Sequence, residues 1–388
     1  MKTDHFFASC PRGLETVLAS ELDTLGAQYI EPTDGGVVFA GDFSLMMRVN
    51  LHSRYASRVL WRIVQGRFRH EQDIYRLAHD VDWAMLFDVQ RTIKVSTTAV
   101  KSEVRSTEFV SLKIKDAICD RFRALNNRRP NVDTAAPDMR IHVFLMGNDI
   151  TLYLDTSGDA LFKRGVRVAS NEAPIRENLA AGILALAGWT PGTPLFDPMC
   201  GSGTFLIEAA EMTLKRAPGQ RRHFAFEQFN GFAAARWQAL RDEAKAAELP
   251  ASPLPIWGSD IDAYALDAAY QNLSHSGLDA CISLTEANML DTSAPAANGI
   301  VVSNPPYGIR MDEQDRLAAL YPELGHWLKQ KMTGWNAYFV TADLRLAKLI
   351  RLSASKRTPL FNGALECRLF EYRMVAGSRR ERPPKETP

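Results

Sequence analysis

The sequence predicts an α/β fold, with a doubly wound sheet in the carboxyl-terminal part of the chain and smaller α+β modules before it. Three observations carry the prediction. Residues 193–197 read as a strand that runs into the glycine turn Pro198-Met199-Cys200-Gly201-Ser202-Gly203-Thr204 and then a helix from about Phe205 to Leu214. Residues 256–262 form a second short strand closing on an acid, followed by a helix through Ala265, Leu266, Ala269 and Tyr270. Residues 299–303, Gly-Ile-Val-Val-Ser, form an apolar strand that ends in the box Asn304-Pro305-Pro306-Tyr307.

The first turn is of a nucleotide-binding type. Gly201 and Gly203 allow the backbone to approach a ligand closely, and the helix amino end after them offers free amide donors to a carboxylate or ribose. Asp197, Pro198, Cys200, Gly201, Gly203 and Thr204 are therefore expected to bind the cofactor. The dinucleotide fingerprint would need glycine where Leu206 stands, and no phosphate-loop Gly-Lys-Ser/Thr follows. An acid closing the second strand suits two ribose hydroxyls, which assigns Asp260, with Asp262 as the near alternative. A further strand at 281–284 leads to Asn288, whose polar side chain is placed to meet an adenine amine, although the usual residue there is Asp.

The Asn304 box narrows the chemistry. An Asn carbonyl and the Pro305 backbone carbonyl can accept the two hydrogens of a planar amine, Tyr307 can stack on the base that bears it, and Pro305 with Pro306 stiffens the loop. Accepting both hydrogens keeps the nitrogen lone pair out of ring conjugation and aims it at an electrophile. No strong base or metal is needed. The implied reaction is methyl transfer to an amine, with Asn304, Pro305, Pro306 and Tyr307 at its centre.

In this order and spacing the four pieces resemble the class I methyltransferases that use S-adenosyl-L-methionine, of the amino-directed type. The resemblance implies a Rossmann-like, seven-stranded, doubly wound sheet. Residues 172–179, Glu-Ala-Pro-Ile-Arg-Glu-Asn-Leu, resemble the additional helix that lines the cofactor pocket in this group, and the alternating segments at 361–372 resemble the antiparallel pair that closes such sheets.

Ahead of these boxes, residues 5–26 give a strand and an amphipathic helix through Leu14, Val17, Leu18, Leu22 and Leu25. Val110, Ile114, Ala117, Ile118, Phe122 and Leu125 fall at helical spacing, and two alternating strands at 140–145 and 150–154 are joined by Gly147-Asn148-Asp149. With the segment Asp155 to Arg167 that follows, these resemble a ferredoxin-like domain plus a THUMP domain, the RNA-binding module of several RNA methyltransferases. The expected domains are 1–60 ferredoxin-like, 61–160 THUMP and 165–388 methyltransferase. Over nearly the whole chain the resemblance is to the ribosomal large-subunit (23S) guanine 2-amino methyltransferase family, which implies ribosomal RNA as substrate. A related group with the same layout modifies transfer RNA, and a catalytically idle RNA-binding assembly factor is the alternative from another class.

Asp197 and Asp260 lie 63 positions apart. That is more than one strand-helix-strand unit needs, and residues 215–250 supply the excess. The insert holds Phe224, Phe226, Phe229, Phe232 and Trp237, which are expected to pack against the sheet rather than to stack on bases.

Composition sets outer bounds. A chain of 388 residues, 46% hydrophobic and 23% charged, is ordinary for two or three globular domains. It lacks an apolar stretch approaching the roughly 18 residues of a membrane span, and its start lacks a signal-peptide core, so a cytoplasmic location is expected. The five cysteines stand singly, and the eight histidines show no ligand spacing, so no metal site is expected. The net charge of +1 hides an asymmetry. Residues 51–170 carry 20 Lys and Arg against 14 Asp and Glu, whereas residues 171–388 carry 23 against 24. Lys163, Arg164 and Arg167, with Arg310 beyond the amine box, are the candidate contacts to RNA phosphate. Oligomeric state and the target nucleotide have no sequence signal.

Overall fold

The computed structural model describes residues 3–169, 175–306 and 311–375, the side chains of 311–317 excepted. Tyr307 and Arg310 lie outside the described residues. Two compact units emerge, Met1–Gly165 with Arg216–Glu248, and Val166–Lys215 with Leu249–Pro388.

The first unit runs β1 (Asp4–Ser9), α1 (Glu15–Thr24), β2 (Gln28–Thr33), β3 (Gly36–Gly41), α2 (Phe43–His52), β4 (Arg58–Arg67), α3 (Glu71–His79), β5 (Ile93–Val100), α4 (Thr107–Asn126), β6 (Met139–Met146) and β7 (Asp149–Asp155). One sheet in the order β2-β3-β1-β4-β7-β6-β5 contains all seven strands. A boundary at 60/61 falls inside β4, which pairs with β1 on one side and β7 on the other, so the ferredoxin-like and THUMP segments share one sheet. The leucine stripe of α1 is buried at Leu14, Leu18 and Leu22. In α4 the stripe is buried from Val110 to Phe122, while Leu125, in the last turn, is 50% exposed. The β6–β7 turn uses Gly147 at φ +56°, a conformation that favours glycine.

The insert between the two glycine-turn strands also belongs to this first unit. Its aromatic residues pack there, contrary to the expectation that they lie on the methyltransferase sheet. Trp237 meets Phe224 and Phe226 edge-on at 5.5 and 5.0 Å, and Phe229 lies 6.3 Å from Trp61 of β4. Arg222 inserts its guanidinium into a ring of backbone carbonyls. It donates to Ala160 (2.7 Å), Asp159 (2.5 Å), Lys163 (3.2 Å) and Ser157 (3.4 Å), and lies 5.0 Å from the centre of the Phe224 ring. Five donors in a planar fork can serve several carbonyls at once, which one ammonium cannot.

The second unit follows as α5 (Glu177–Leu186), β8 (Leu195–Asp197) and α6 (Thr204–Thr213). After the insert's α7 (Ala234–Ala246) come β9 (Ile256–Asp260), α8 (Ala263–Ser276), β10 (Ser283–Glu286), β11 (Gly299–Ser303), α9 (Met311–Lys331), β12 (Trp335–Thr341), α10 (Leu346–Leu349), β13 (Lys356–Asn362) and β14 (Leu365–Arg373). The sheet order is β10-β9-β8-β11-β12-β14-β13, and β14 alone runs antiparallel to the rest. This is the doubly wound sheet with the closing antiparallel hairpin that the sequence predicts. Its central strands are buried on both faces, hence the unbroken apolar run of β11. From β8 the order runs outward to β9 and β10 on one side and to β11 and β12 on the other. The β8/β11 boundary is thus the switch point, where open α/β sheets bind ligands at the strands' carboxyl ends.

Candidate active site at the carboxyl edge of the second sheet

The glycine turn leaves β8 with Gly201 at φ +52° and Gly203 at φ +82°, both conformations that a side chain would strain. Gly203 is the N-cap of α6 and no side chain caps that helix, so its first amides are left for a ligand. The sheet itself supplies the close-packing glycine absent at Leu206. A Cβ on Gly258 of β9 would stand 2.4 Å from Leu206 Cδ1 and 2.8 Å from Leu284 Cδ2, so strand and helix approach through the strand's glycine.

Neighbouring strand ends are tied to this turn. Asp260 Oδ2 accepts from the Gly201 amide at 2.8 Å, and Oδ1 from the Asp262 amide at 3.0 Å. Asp262 itself caps α8 by accepting from Tyr264 N at 3.0 Å. The Ser259 hydroxyl donates to the Pro198 carbonyl at 3.3 Å. Ala287 N donates to Asp260 O at 3.0 Å, which brings Asn288 beside the acid. Asn288 Oδ1 accepts from Leu290 N at 3.0 Å, which commits the oxygen and leaves the Nδ2 donor for a ligand. Such a donor suits a ring nitrogen better than an amine.

Asp197 is 1% exposed. Its Oδ1 accepts from the Ser303 hydroxyl at 2.7 Å and from Met199 N at 3.2 Å. Burial, with the Asp260 charge adding to it, pushes the carboxyl up to about 7 against the pull of these two donors. Cys200 is buried, and burial drives its thiol well above the ordinary range, which disfavours the nucleophilic thiolate. Asn304 follows Ser303 directly and is half-buried, Pro305 is buried and Pro306 is exposed. Among the described residues no protein group bonds the Asn304 amide, which leaves it for a ligand.

The three described basic candidates separate. Lys163 is exposed. Arg164 is 4% exposed and donates to the Arg54 carbonyl at 2.7 Å, so it is committed inside the protein rather than presented to phosphate. Arg167 likewise serves an internal role. It donates to Thr204 Oγ1 at 2.8 Å and to Ile175 O at 2.9 Å, and its Nε lies 3.4 Å from Glu177 Oε1, which joins the start of α5 to the start of α6. A small recess beside the turn is lined by Val166 and Ile207 together with Arg167, Glu177, Ser202, Thr204, Glu208 and Asn272. Asn272 holds it together by donating to Ser202 O at 3.1 Å and accepting from Val168 N at 2.8 Å. A lone Asn within a helical pattern carries no sequence signal of such a role. Among the described residues no group of three or more His, Cys, Asp or Glu is placed to hold a metal ion, and no helix is long and apolar enough to cross a membrane.

Comparison with known proteins agrees with this geometry. Residues 164–371 match the family described as RMKL-like, methyltransferase domain, residues 68–155 match the THUMP domain, and residues 5–60 match the RlmL ferredoxin-like domain. A Synechocystis protein named "Putative RNA methyltransferase slr0064" is 39% identical over 96% of this chain and 97% of its own length. The "Ribosomal RNA large subunit methyltransferase K/L" of Shewanella sp. (strain ANA-3) is 38% identical over 98% of this chain, which spans 54% of that longer protein. Among solved structures, SMU.472, described as "a putative methyltransferase complexed with SAH", superposes with a TM-score of 0.87 at 30% identity, covering 97% of this chain and all of that one. With the glycine turn, the amine box and both amino-terminal modules accounted for by these matches, the chain belongs to the family of RMKL-like methyltransferases that carry RlmL ferredoxin-like and THUMP domains.

Proposed function

We propose that the chain transfers a methyl group from S-adenosyl-L-methionine to the exocyclic 2-amino group of a guanine in structured RNA, with large-subunit ribosomal RNA as the substrate. One observation carries the reading: the cofactor-type turn and the Asn304-Pro305 loop leave the carboxyl ends of adjacent parallel strands, β8 and β11, at the switch point. The names of these relatives supply the RNA class, and the SAH bound by SMU.472 supports the cofactor.

The residues fit that cofactor. The glycines at positive φ make room for its backbone-hugging portion, and the uncapped amides of α6 suit its carboxylate. Asp260 keeps lone pairs for ribose hydroxyls, and Asn288 Nδ2 suits a ring nitrogen of adenine. Once bound, the cofactor supplies an electrophilic methyl on a sulfonium, a leaving group that needs no further activation. The protein's own part is orientation. Asn304 Oδ1 and Pro305 O accept the two amine hydrogens and point the nitrogen lone pair along the transfer axis, and Tyr307 is assigned to stacking. A guanine turned out of its helix reaches such a pocket at a cost of a few kcal/mol.

The first unit is assigned to holding RNA by shape and backbone. Its exposed cations include Lys163 and, after the left-handed Asn127 that ends α4, Arg128 and Arg129. Arg310 is kept as a phosphate contact near the target.

The test is Asn304→Ala. Turnover on large-subunit ribosomal RNA from a strain lacking the gene should fall about 100-fold, while affinity for S-adenosylhomocysteine stays within about 3-fold. A variant that methylates at the wild-type rate would show the amine assignment to be wrong. Nucleoside mapping of the same RNA against that of the parent strain should reveal one missing N2-methylguanosine.

A further inference from the structure

Beyond binding cofactor and amine, the two loops must stay in register with each other, and the backbone alone does not ensure it. β8 is only three residues long, and its ladder with β11 consists of Leu195 opposite Ile300 and Phe196 opposite Val301. It stops two residues short of Ser303. On its other side β11 continues to pair as far as Ser303 opposite Phe339 of β12. Toward the cofactor turn the loops therefore part company just where chemistry requires a fixed separation. A side chain fills that gap, because the Ser303 hydroxyl, fully buried, donates to Asp197 Oδ1 at 2.7 Å.

We infer that Ser303 is a positioning residue that couples the cofactor turn to the amine-binding loop through Asp197. The inference rests on the functional reading above only for what the loop does, not for the coupling. Asp197 is the last residue of β8 and also accepts from Met199 N, the second residue of the turn. The turn is anchored in addition to β9 by Gly201 N and Asp260. A continuous hydrogen-bonded path thus runs from Asp260 through the turn and Asp197 to Ser303, which precedes Asn304 in the chain. Asp197 as a whole is buried, so a hydroxyl donor there is worth more than at the surface. A misplacement of 1 Å between donor and acceptor can cost about 100-fold in rate. The groups that face Asp197 are Asp260 from β9 and the neutral Cys200 thiol from the turn. The hydroxyl opposes both burial and the Asp260 charge in setting the Asp197 titration.

The experiment compares wild type, Ser303→Ala and Ser303→Thr in the full chain by amide hydrogen exchange with and without S-adenosylhomocysteine. In wild type the ligand should slow exchange both in residues 199–206 and in residues 301–304. In Ser303→Ala it should protect only the turn, with affinity within about 3-fold, and turnover on large-subunit ribosomal RNA should drop 10- to 100-fold. Ser303→Thr should restore both the second protection and most of the rate. Equal protection of both segments in Ser303→Ala, or loss of ligand affinity in parallel with turnover, would overturn the coupling and leave Ser303 a plain structural residue. The coupling and the proposed function fail separately. Absence of RNA methylation by wild type would sink the functional reading, while the exchange comparison would still decide the role of Ser303.

Discussion

Replacing Arg222 by Ala tests how the insert is held on the first unit. Its guanidinium is the shared donor of four backbone carbonyls, those of Ser157, Asp159, Ala160 and Lys163. The bonds to Asp159 and Lys163 lie where water can replace them. Those to Ala160 and Ser157 are partly buried, and losing each should cost about 1–2 kcal/mol. The contact over Phe224 adds about 0.5–1 kcal/mol. Burial pushes the guanidinium down to about 10, so it is charged at neutral pH but carries a desolvation cost that the variant recovers in part. A net loss of about 2–4 kcal/mol remains, equivalent to roughly 5–15 °C in the melting of a unit of this size. Differential scanning calorimetry gives the shift, and hydrogen exchange should show residues 157–163 and 224–229 opening together. Arg222→Lys should recover less than half, because a point charge cannot span the ring of carbonyls. A shift below about 2 °C with unchanged protection of residues 157–163 would refute the reasoning.

Asp197→Asn should change the pH dependence of stability. The acid titrates near 7 when folded and near 4 when unfolded, so the folded state binds more protons between those values and wild type loses stability as pH rises from about 4 to 7. The Asn variant should lack that slope and melt higher at pH 8, by the equivalent of about 2–4 kcal/mol, while matching wild type near pH 4; parallel melting curves from pH 4 to 8 would contradict this. Gly258→Ala adds a Cβ 2.4 Å from Leu206 Cδ1 and 3.3 Å from Cys200 Sγ, contacts that only side-chain shifts can relieve. The expected cost is about 1–3 kcal/mol in stability and a several-fold loss of S-adenosylhomocysteine affinity through the displaced turn, read by thermal melts and calorimetric titration. Unaltered affinity would mean that the turn does not depend on this helix-strand contact.

What the sequence determined was local. The Asp197 turn, the acid at Asp260, the Asn304-Pro305-Pro306 box and the alternation of strands and helices are each written in a few neighbouring residues. Positive φ demands glycine, proline stiffens a loop, and periodicity marks the buried face, so these features are legible without any tertiary context. The stripe of α1 and the β13–β14 hairpin were legible for the same reason. The tertiary structure alone decided which distant groups meet. The Ser303 hydroxyl finds Asp197 across 106 positions, Arg167 turns inward to Thr204 and Glu177, and the aromatic insert packs on the first unit rather than on the sheet that flanks it in sequence. A serine, an arginine or a phenylalanine reads the same in sequence whatever partner it meets, because hydrogen bonding and burial depend on strand order and on the path of the chain between contacts, which no short motif encodes.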